Sequence, residues 1–447
     1  MRTFIVWCLL LTLNTTAKAQ ASSQAGPQAS PQDTTVIGSL PEALDRALRS
    51  NPTRTVYQQQ IRQARYNYKA TKGAFYPNAT GTFGGTDNLH LATTPIPGEL
   101  VGAPGTTYYA QFGKKYAYNA GITLTQNIVN WQTVLETKTA EYNVRLTESQ
   151  QASYIQGLRE QVARTYFSVL MAKASLKILA LDQKVGDSLI ALTRQRLTEG
   201  TGDAISLNQA LISGNNIQQN KALSQQLYDQ GTDNLAILLG AKPGTEISLA
   251  EDVAPGSLAE AGLLTLGADK NLDVYRQQVS IAGLQRQSQK SIAYPNLSAS
   301  VYWGTQQYRN DLGLSFDNKA WSAYRYIGLN LNVPLFTGLS NTYKYRSSVT
   351  QEQIAQLQYD NAMEQSGIND RLLIKNHSDY QDLVRASSEN FRLYRENLQL
   401  DKQKYEEGII ILDVYLKAFQ DYLTAENTYM NNLVQLLSVR ATILSRQ

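Results

Sequence analysis

The chain has 447 residues with 12 Pro, 29 Gly, 2 His and 1 Cys, and only 17 % are charged, against about 25 % in an average soluble domain. One Cys excludes an intramolecular disulfide, and two His without Cys partners disfavour a zinc or transition-metal centre, so metal-dependent hydrolysis is set aside. A formal net charge of +4 says little about nucleic acid, and beyond the first residues no apolar run reaches the ~18 that a membrane-crossing helix needs.

At the N-terminus Arg2 precedes an apolar stretch from Phe4 to Leu13, then Asn14-Thr15-Thr16 and Ala17-Lys18-Ala19. That is the layout of a signal peptide over 1–19, cleaved before Gln20. Cys8 lies inside it without the small residues of a lipobox, so the mature chain contains no cysteine. Residues 20–38 are small and polar with Pro27 and Pro31, which reads as a disordered tether. Ser39-Leu40-Pro41-Glu42 combines a serine N-cap, an early proline and a Glu three residues on. This opens a helix over 41–73.

The period then changes to two. Ala79, Gly81, Phe83 and Gly85 alternate with Thr80 and Thr82, and Ala120, Ile122 and Leu124 with Asn119, Gly121 and Thr123, which predicts a hairpin over 76–130 with a long loop near 89–115. No proline occurs from 105 to 242, and Leu158, Val162, Tyr166, Val169 and Ala172 recur at helical steps. A helix over 131–199 would be roughly 100 Å long at ~1.5 Å per residue. Gly200-Thr201-Gly202-Asp203 ends it, and a further helix covers 204–239.

The same order returns after Gly267: a helix over 270–293, a hairpin over 295–336, a long helix over 339–407 and a last one over 412–445. Its strands are the clearer pair, because Leu297, Ala299, Val301 and Trp303 alternate with Ser298, Ser300 and Tyr302. Ile327, Leu329, Leu331 and Val333 alternate with Gly328, Asn330 and Asn332. Leu297, Val301, Ile327, Leu329, Leu331 and Val333 are therefore the lipid-facing candidates, with Trp303, Trp321, Tyr324 and Tyr326 at the ends. Two hairpins on a soluble domain would show the same alternation. Four strands cannot close a barrel in lipid, so a membrane-spanning protomer must oligomerise.

The halves are tandem copies. Aligning Tyr76-Pro77-Asn78 with Tyr294-Pro295-Asn296 brings Tyr57-Gln58-Gln59-Gln60-Ile61 onto Tyr275-Arg276-Gln277-Gln278-Val279 without a gap, and further on Gly200 meets Gly408. Rods of this length with half-polar surfaces are explained if several form the wall of a water-filled tube, hairpins at one end and glycine turns at the other.

Signal peptide, tandem repeat, helix–hairpin–long helix order and the Pro334-Leu335-Phe336-Thr337-Gly338 junction together resemble the TolC outer-membrane efflux family. The sharpest local piece runs from Lys404 to Ala418, similar to that family's aromatic-x-x-Gly turn followed by Leu-Asp-Val. The resemblance covers about Ser39 to Gln447. It implies a mixed α and β fold: a trimeric outer-membrane β-barrel of four strands per protomer, twelve in all, continued by a periplasmic α-helical barrel. Residues 240–268 would form a small equatorial collar. It also implies an exit duct of a tripartite efflux or type I secretion system, passive, working with a periplasmic adaptor and an inner-membrane pump of RND or ABC type. The competing expectation is an envelope structural or adhesive coiled-coil protein without channel activity.

Asp413 occupies the acidic position of the family's turn and could narrow the tunnel, or could cap its own helix. The first copy has Ser206 at the corresponding place, with Asp203 earlier in the turn. Tyr405, Arg194 and Arg196 could link neighbouring coils or be ordinary helix residues. Gly200, Thr201, Gly408, Ile409, Ile410 and Ile411 form the candidate adaptor-docking tip, the alternative being that the isoleucines pack on Ile205 and Leu207. The glycine clusters lack the Lys-Ser/Thr and preceding strand of a phosphate loop, no nucleophile–base set has a motif context, and no cofactor or enzyme activity is expected.

Overall fold

The computed structural model describes residues 34–251 and 265–447. The signal peptide, most of the tether and residues 252–264 of the equatorial segment lie outside the described residues. In chain order the first copy comprises β1 (Thr34–Ile37), α1 (Leu40–Ser50), α2 (Pro52–Gly73), β2 (Asn78–Asp87), β3 (Thr93–Pro97), β4 (Thr107–Gln111), β5 (Tyr116–Val129), α3 (Trp131–Thr198) and α4 (Ala204–Leu238). After β6 (Glu246–Leu249) the second copy follows as α5 (Asn271–Ser291), β7 (Asn296–Arg309), β8 (Ser322–Asn332), α6 (Ser340–Glu406) and α7 (Leu412–Ser445).

Two sequence expectations need correction at the start. Thr34–Ile37, placed in the tether, is a strand that pairs in parallel with β6. Its Thr-Thr-Val-Ile run is β-branched throughout, and Ile37 is fully buried beside Ile247 and Leu249. The single helix expected over 41–73 is two helices, because Pro52 forces Asn51 into extended backbone. Asn51 then caps α2, its Oδ1 accepting the Thr53 amide at 2.9 Å and the Arg54 amide at 3.4 Å. Ser39 makes no side-chain cap, while Glu42 reaches back to accept the Gly38 amide at 2.8 Å.

α3 and α6 hold 68 and 67 residues, roughly 100 Å each. α2 and α4 both pack along α3, and α5 and α7 both pack along α6, with α3 also against α5 and α7. Each long rod therefore carries two shorter helices set end to end. At the first junction Asn51 Nδ2 donates to the Leu238 carbonyl at 3.0 Å, and Tyr154 Oη donates to Asn51 Oδ1 at 2.8 Å. Gly240 has φ +65°, and a Cβ there would stand 2.4 Å from the Ser50 carbonyl, so only glycine passes α4 beneath α2 this closely. At the second junction Arg446 lies between Asp370 of α6 and Asp269 ahead of α5. Burial pushes the Asp269 carboxyl up, but hydrogen bonds from the Asn271 amide and Gln156, with the Arg446 charge, outweigh it and hold it below its usual range.

The apolar residues form seams. One cluster joins α1, β1 and β6 to Leu158, Val162, Tyr166 and Val169 of α3. A second, toward the glycine turns, gathers Leu189, Ile217, Leu416 and Phe419. A third joins Val384 of α6 to Leu433 and Leu436 of α7. Residues such as Leu357 and Ile374 on α6 and Tyr66 on α2 remain exposed on the single chain.

Candidate functional site

β2, β5, β7 and β8 form one antiparallel sheet in that order, leaving β2 and β8 as free edges. The connection between β2 and β5 carries its own hairpin of β3 and β4. Register decides which faces meet. Leu124 pairs with Val301 and Val301 with Ile327; Ile122 pairs with Trp303; Leu297 pairs with Leu331 and Ala299 with Leu329. Opposed residues share a face, so the alternation of each strand adds up to one continuous apolar surface.

That surface is bare. Ile327 is 81 % exposed, Leu329 72 % and Leu331 63 %, with Val333, Phe83 and Ile122 also exposed. Leu297 and Val301 lie on the same face and are half-covered. Patches of this size mark a surface meant for another apolar phase. At one end of the band Arg325 sits over the Trp303 ring at 4.1 Å, an amphipathic pair of the kind found at a lipid–water boundary. Trp321 flanks β8 as expected and donates from Nε1 to the Ser315 carbonyl at 2.8 Å in the β7–β8 connection. Among the described residues no helix is long and apolar enough to cross a membrane.

The opposite ends of the long helices are built by glycine. Gly200 and Gly408 take φ +73° and +76°. In each turn two amides return to the helix: Gly200 to Leu197 and Thr201 to Arg196, Gly408 to Tyr405 and Ile409 to Lys404. Both are the paired-bond C-cap in which a left-handed glycine ends the helix and reverses the chain.

Here the gate candidates fall into two groups and one outlier. Asp203 caps α4 through the Ser206 amide at 2.8 Å, and that bond holds its carboxyl below the usual range. The Ser206 hydroxyl stands between Asp203, at 3.2 Å, and Asp413 of α7, a direct tie between the tips of the two copies. Asp413 thus binds across the repeat and does not cap its own helix, whose N-cap Ile411 makes no side-chain bond. Arg196 lies over the Tyr405 ring at 4.7 Å, and Tyr405 stacks on Tyr415 at 5.6 Å. Tyr405 is buried, so its ring belongs to the packing of the tip. Arg194 is exposed and joins neither group.

The isoleucine run divides. Ile409 and Ile411 project from the tip at 66 % and 67 % exposure, beside Ile205 at 69 %. Ile410, offered with them for docking, turns inward and packs on the lower cluster. Of the two residues on which the run was expected to rest, Ile205 is itself bare and Leu207 is half-buried. Gly200, Thr201 and Gly408 are exposed.

Sequence reasoning missed a buried acidic pair. Asp182 of α3 and Glu426 of α7 are 3 % and 4 % exposed, and Tyr422 Oη donates to Asp182 Oδ1 at 3.0 Å. Phe391 and Phe419 pack on the Tyr422 ring, and Tyr429 stacks on Phe391. Burial, reinforced by the hydrogen bond and charge of Asp182, pushes the Glu426 carboxyl up to about 9, and burial raises Asp182 as well. Each acid sits at a helical step that looks solvated in isolation; only the pairing of α3 with α7 brings them together.

A sheet with one apolar face and two open edges, continued by helices of roughly 100 Å, is an architecture that this chain shares with outer membrane channels of solved structure. The profile described as "Outer membrane efflux protein" matches residues 43–241. The "Outer membrane protein TolC" of Vibrio cholerae serotype O1 is 24 % identical over 322 residues, 69 % of each chain. Among solved structures, CusC superposes with a TM-score of 0.75 at 16 % identity, covering 93 % of this chain and 96 % of that one. The Campylobacter jejuni CmeC outer membrane channel gives 0.72 at 14 % identity, covering 94 % and 90 %. By profile, relative and fold, the chain is similar to the TolC family of outer membrane efflux proteins. It is an outer-membrane protein whose helical part stands in the periplasm.

Proposed function

We propose that three copies of this chain close a twelve-stranded barrel and form a passive exit duct. The observation that carries this is the sheet: a bare apolar face between two unpaired edges can rest in lipid only if each β8 edge finds the β2 edge of a neighbour. Because the strands alternate in direction, β8 of one copy and β2 of the next meet antiparallel, continuing the pattern. The exposed apolar residues of α2 and α6, including Tyr66, Leu357 and Ile374, then face neighbouring rods. An envelope coiled-coil protein without channel activity would leave the sheet uncovered.

In this reading cargo enters at the glycine-turn end from an inner-membrane pump of RND or ABC type, through a periplasmic adaptor. Ile409, Ile411 and Ile205 form the apolar tip that the adaptor covers, and Gly200, Thr201 and Gly408 shape it. Asp413 and Asp203, tied through Ser206, supply the negative charge at the mouth, with Arg196 and Tyr405 bracing the same turns.

The test uses the absence of cysteine beyond Cys8. Cysteines introduced along β2 (Thr80, Thr82) and β8 (Gly328, Asn330), one on each strand, should give covalent dimers and trimers when the protein is oxidised in the outer membrane. Monomer alone from every pair would overturn the closed trimer. Ile409→Asp should abolish crosslinking to the adaptor with trimers intact; undiminished crosslinking would remove the docking role.

A further inference from the structure

The face of the sheet opposite the apolar band lines the interior of the duct. Among the described residues of β2, β5, β7 and β8 every side chain on it is Ser, Thr, Asn, Gln, Tyr, Ala or Gly, so the wall carries no charge. One feature interrupts this neutral lining. Tyr302, Tyr324 and Tyr326 meet there, with ring centroids 5.5 Å, 5.6 Å and 5.6 Å apart.

The cluster is held in place from below. A Cβ at Gly121 would stand 2.5 Å from the Tyr302 hydroxyl, and one at Gly304 would stand 2.4 Å from it. Tyr302 therefore lies flat over two glycines of adjacent strands, a seat that any side chain at either position would block. Tyr326 stacks on it at 19°, in direct register, while Tyr324 is opposite Gly304 and tilts by 54° and 56° to the other two. Tyr324 and Tyr326 stay 46 % and 44 % exposed. On the single chain these rings present π surface to water.

The centroids form a nearly equilateral triangle, so a single cation above its centre lies within about 6 Å of all three, the reach of cation–π attraction. A planar aromatic cation can also stack on the exposed rings. With no carboxylate on this wall, an aliphatic cation gains little, and an aromatic anion meets the negative faces of the rings.

We propose that the Tyr302–Tyr324–Tyr326 cluster is a transit site on the inner barrel wall for planar aromatic organic cations. The proposal rests on the duct reading above and adds the cargo class. Three copies repeat the site around the lumen at one level. Binding there is weak by construction, made of ring faces without ion pairs, which a pathway requires if cargo is to leave as readily as it enters.

Ethidium serves as the probe. Single channels of the purified full-length protein in planar bilayers should show concentration-dependent blockade by ethidium, and weaker blockade by the aromatic anion naphthalene-2-sulfonate. Tyr324→Leu should weaken ethidium blockade about fivefold, the loss of roughly 1 kcal/mol of cation–π attraction, and Tyr324→Phe should retain it. If Tyr324→Leu fails to assemble, Tyr326→Leu is read with the same expectation. Conducting channels that ethidium does not block, equal blockade by the anion, or unchanged blockade in the leucine variant would overturn the site and leave the duct standing. A protein that conducts no ions would overturn the duct reading itself, and this proposal with it.

Discussion

Glu426→Gln should reduce the alkaline weakening of the helical barrel. Glu426 is buried beside Asp182 and Tyr422, and its carboxyl is raised to about 9. The folded protein therefore keeps a proton that the unfolded chain releases in the ordinary carboxylate range. A raised acid of this kind contributes stability that is complete below the unfolded value and is lost as pH climbs toward the folded one. Each pH unit in that interval removes about 1.4 kcal/mol per proton. Asp182 is raised too, so the pair titrates as a unit and the slope is shared between them. Arg395 of α6 is the cation facing Tyr422. His377, held low by burial and by Arg440, titrates below this window and does not mask it. From about pH 7 to pH 9 the wild type should lose on the order of 1 to 3 kcal/mol, lowering its unfolding midpoint by a few degrees. Glutamine keeps the shape of the protonated acid, so the midpoint should fall less steeply than in wild type, by the share that buried Asp182 retains. Thermal loss of helical circular dichroism, recorded in detergent across that range, measures both. The same slope in Glu426→Gln as in wild type, or a wild-type midpoint rising with pH, refutes the reasoning.

Leu329→Arg places a charge in the apolar band, at a cost of about 2–4 kcal/mol near the bilayer midplane; trimer recovered from the outer membrane should fall, while Asn330→Ser on the other face leaves it unchanged. Asn51→Ala removes the α2 cap, about 1 kcal/mol, and strands both the Leu238 carbonyl and the Tyr154 hydroxyl, so the denaturation midpoint should drop further than for Asn130→Ala, which removes only the cap of α3 on the Thr133 amide. Gly408→Ala forces a left-handed turn on a residue with a Cβ, costing about 1 kcal/mol; proteolysis at the tip should accelerate and the midpoint of the whole protein move little. Asp413→Ala should raise conductance or shift cation preference, and Ser206→Ala should move the same reading part of the way; an unaltered channel in both would remove the acidic mouth.

The large features were legible because single-residue rules set them. Stretches without proline became α3 and α6, Gly200 and Gly408 ended them, and period-two alternation placed Leu297 and Ile327 on one face. What escaped depended on contacts between distant segments. The strand at Thr34–Ile37 exists only because β6 lies 212 positions along the chain to pair with Thr34, and composition over 20–38 averages it away. Asn51-Pro52 was a local signal overridden by the helical pattern around it. At the tip, the sequence marks four successive apolar residues but not their directions; Ile410 turns in because the lower cluster is on that side, and Ser206 became the bridge to Asp413 only through the meeting of α4 and α7. The tyrosine cluster required register, since Tyr302, Tyr324 and Tyr326 look in sequence like rim aromatics.

Conductance of the purified protein across a planar lipid bilayer separates a duct from an envelope coiled coil. Discrete, ion-conducting steps are expected, ending when Leu329→Arg prevents insertion. A protein that remains in water and conducts nothing would contradict it.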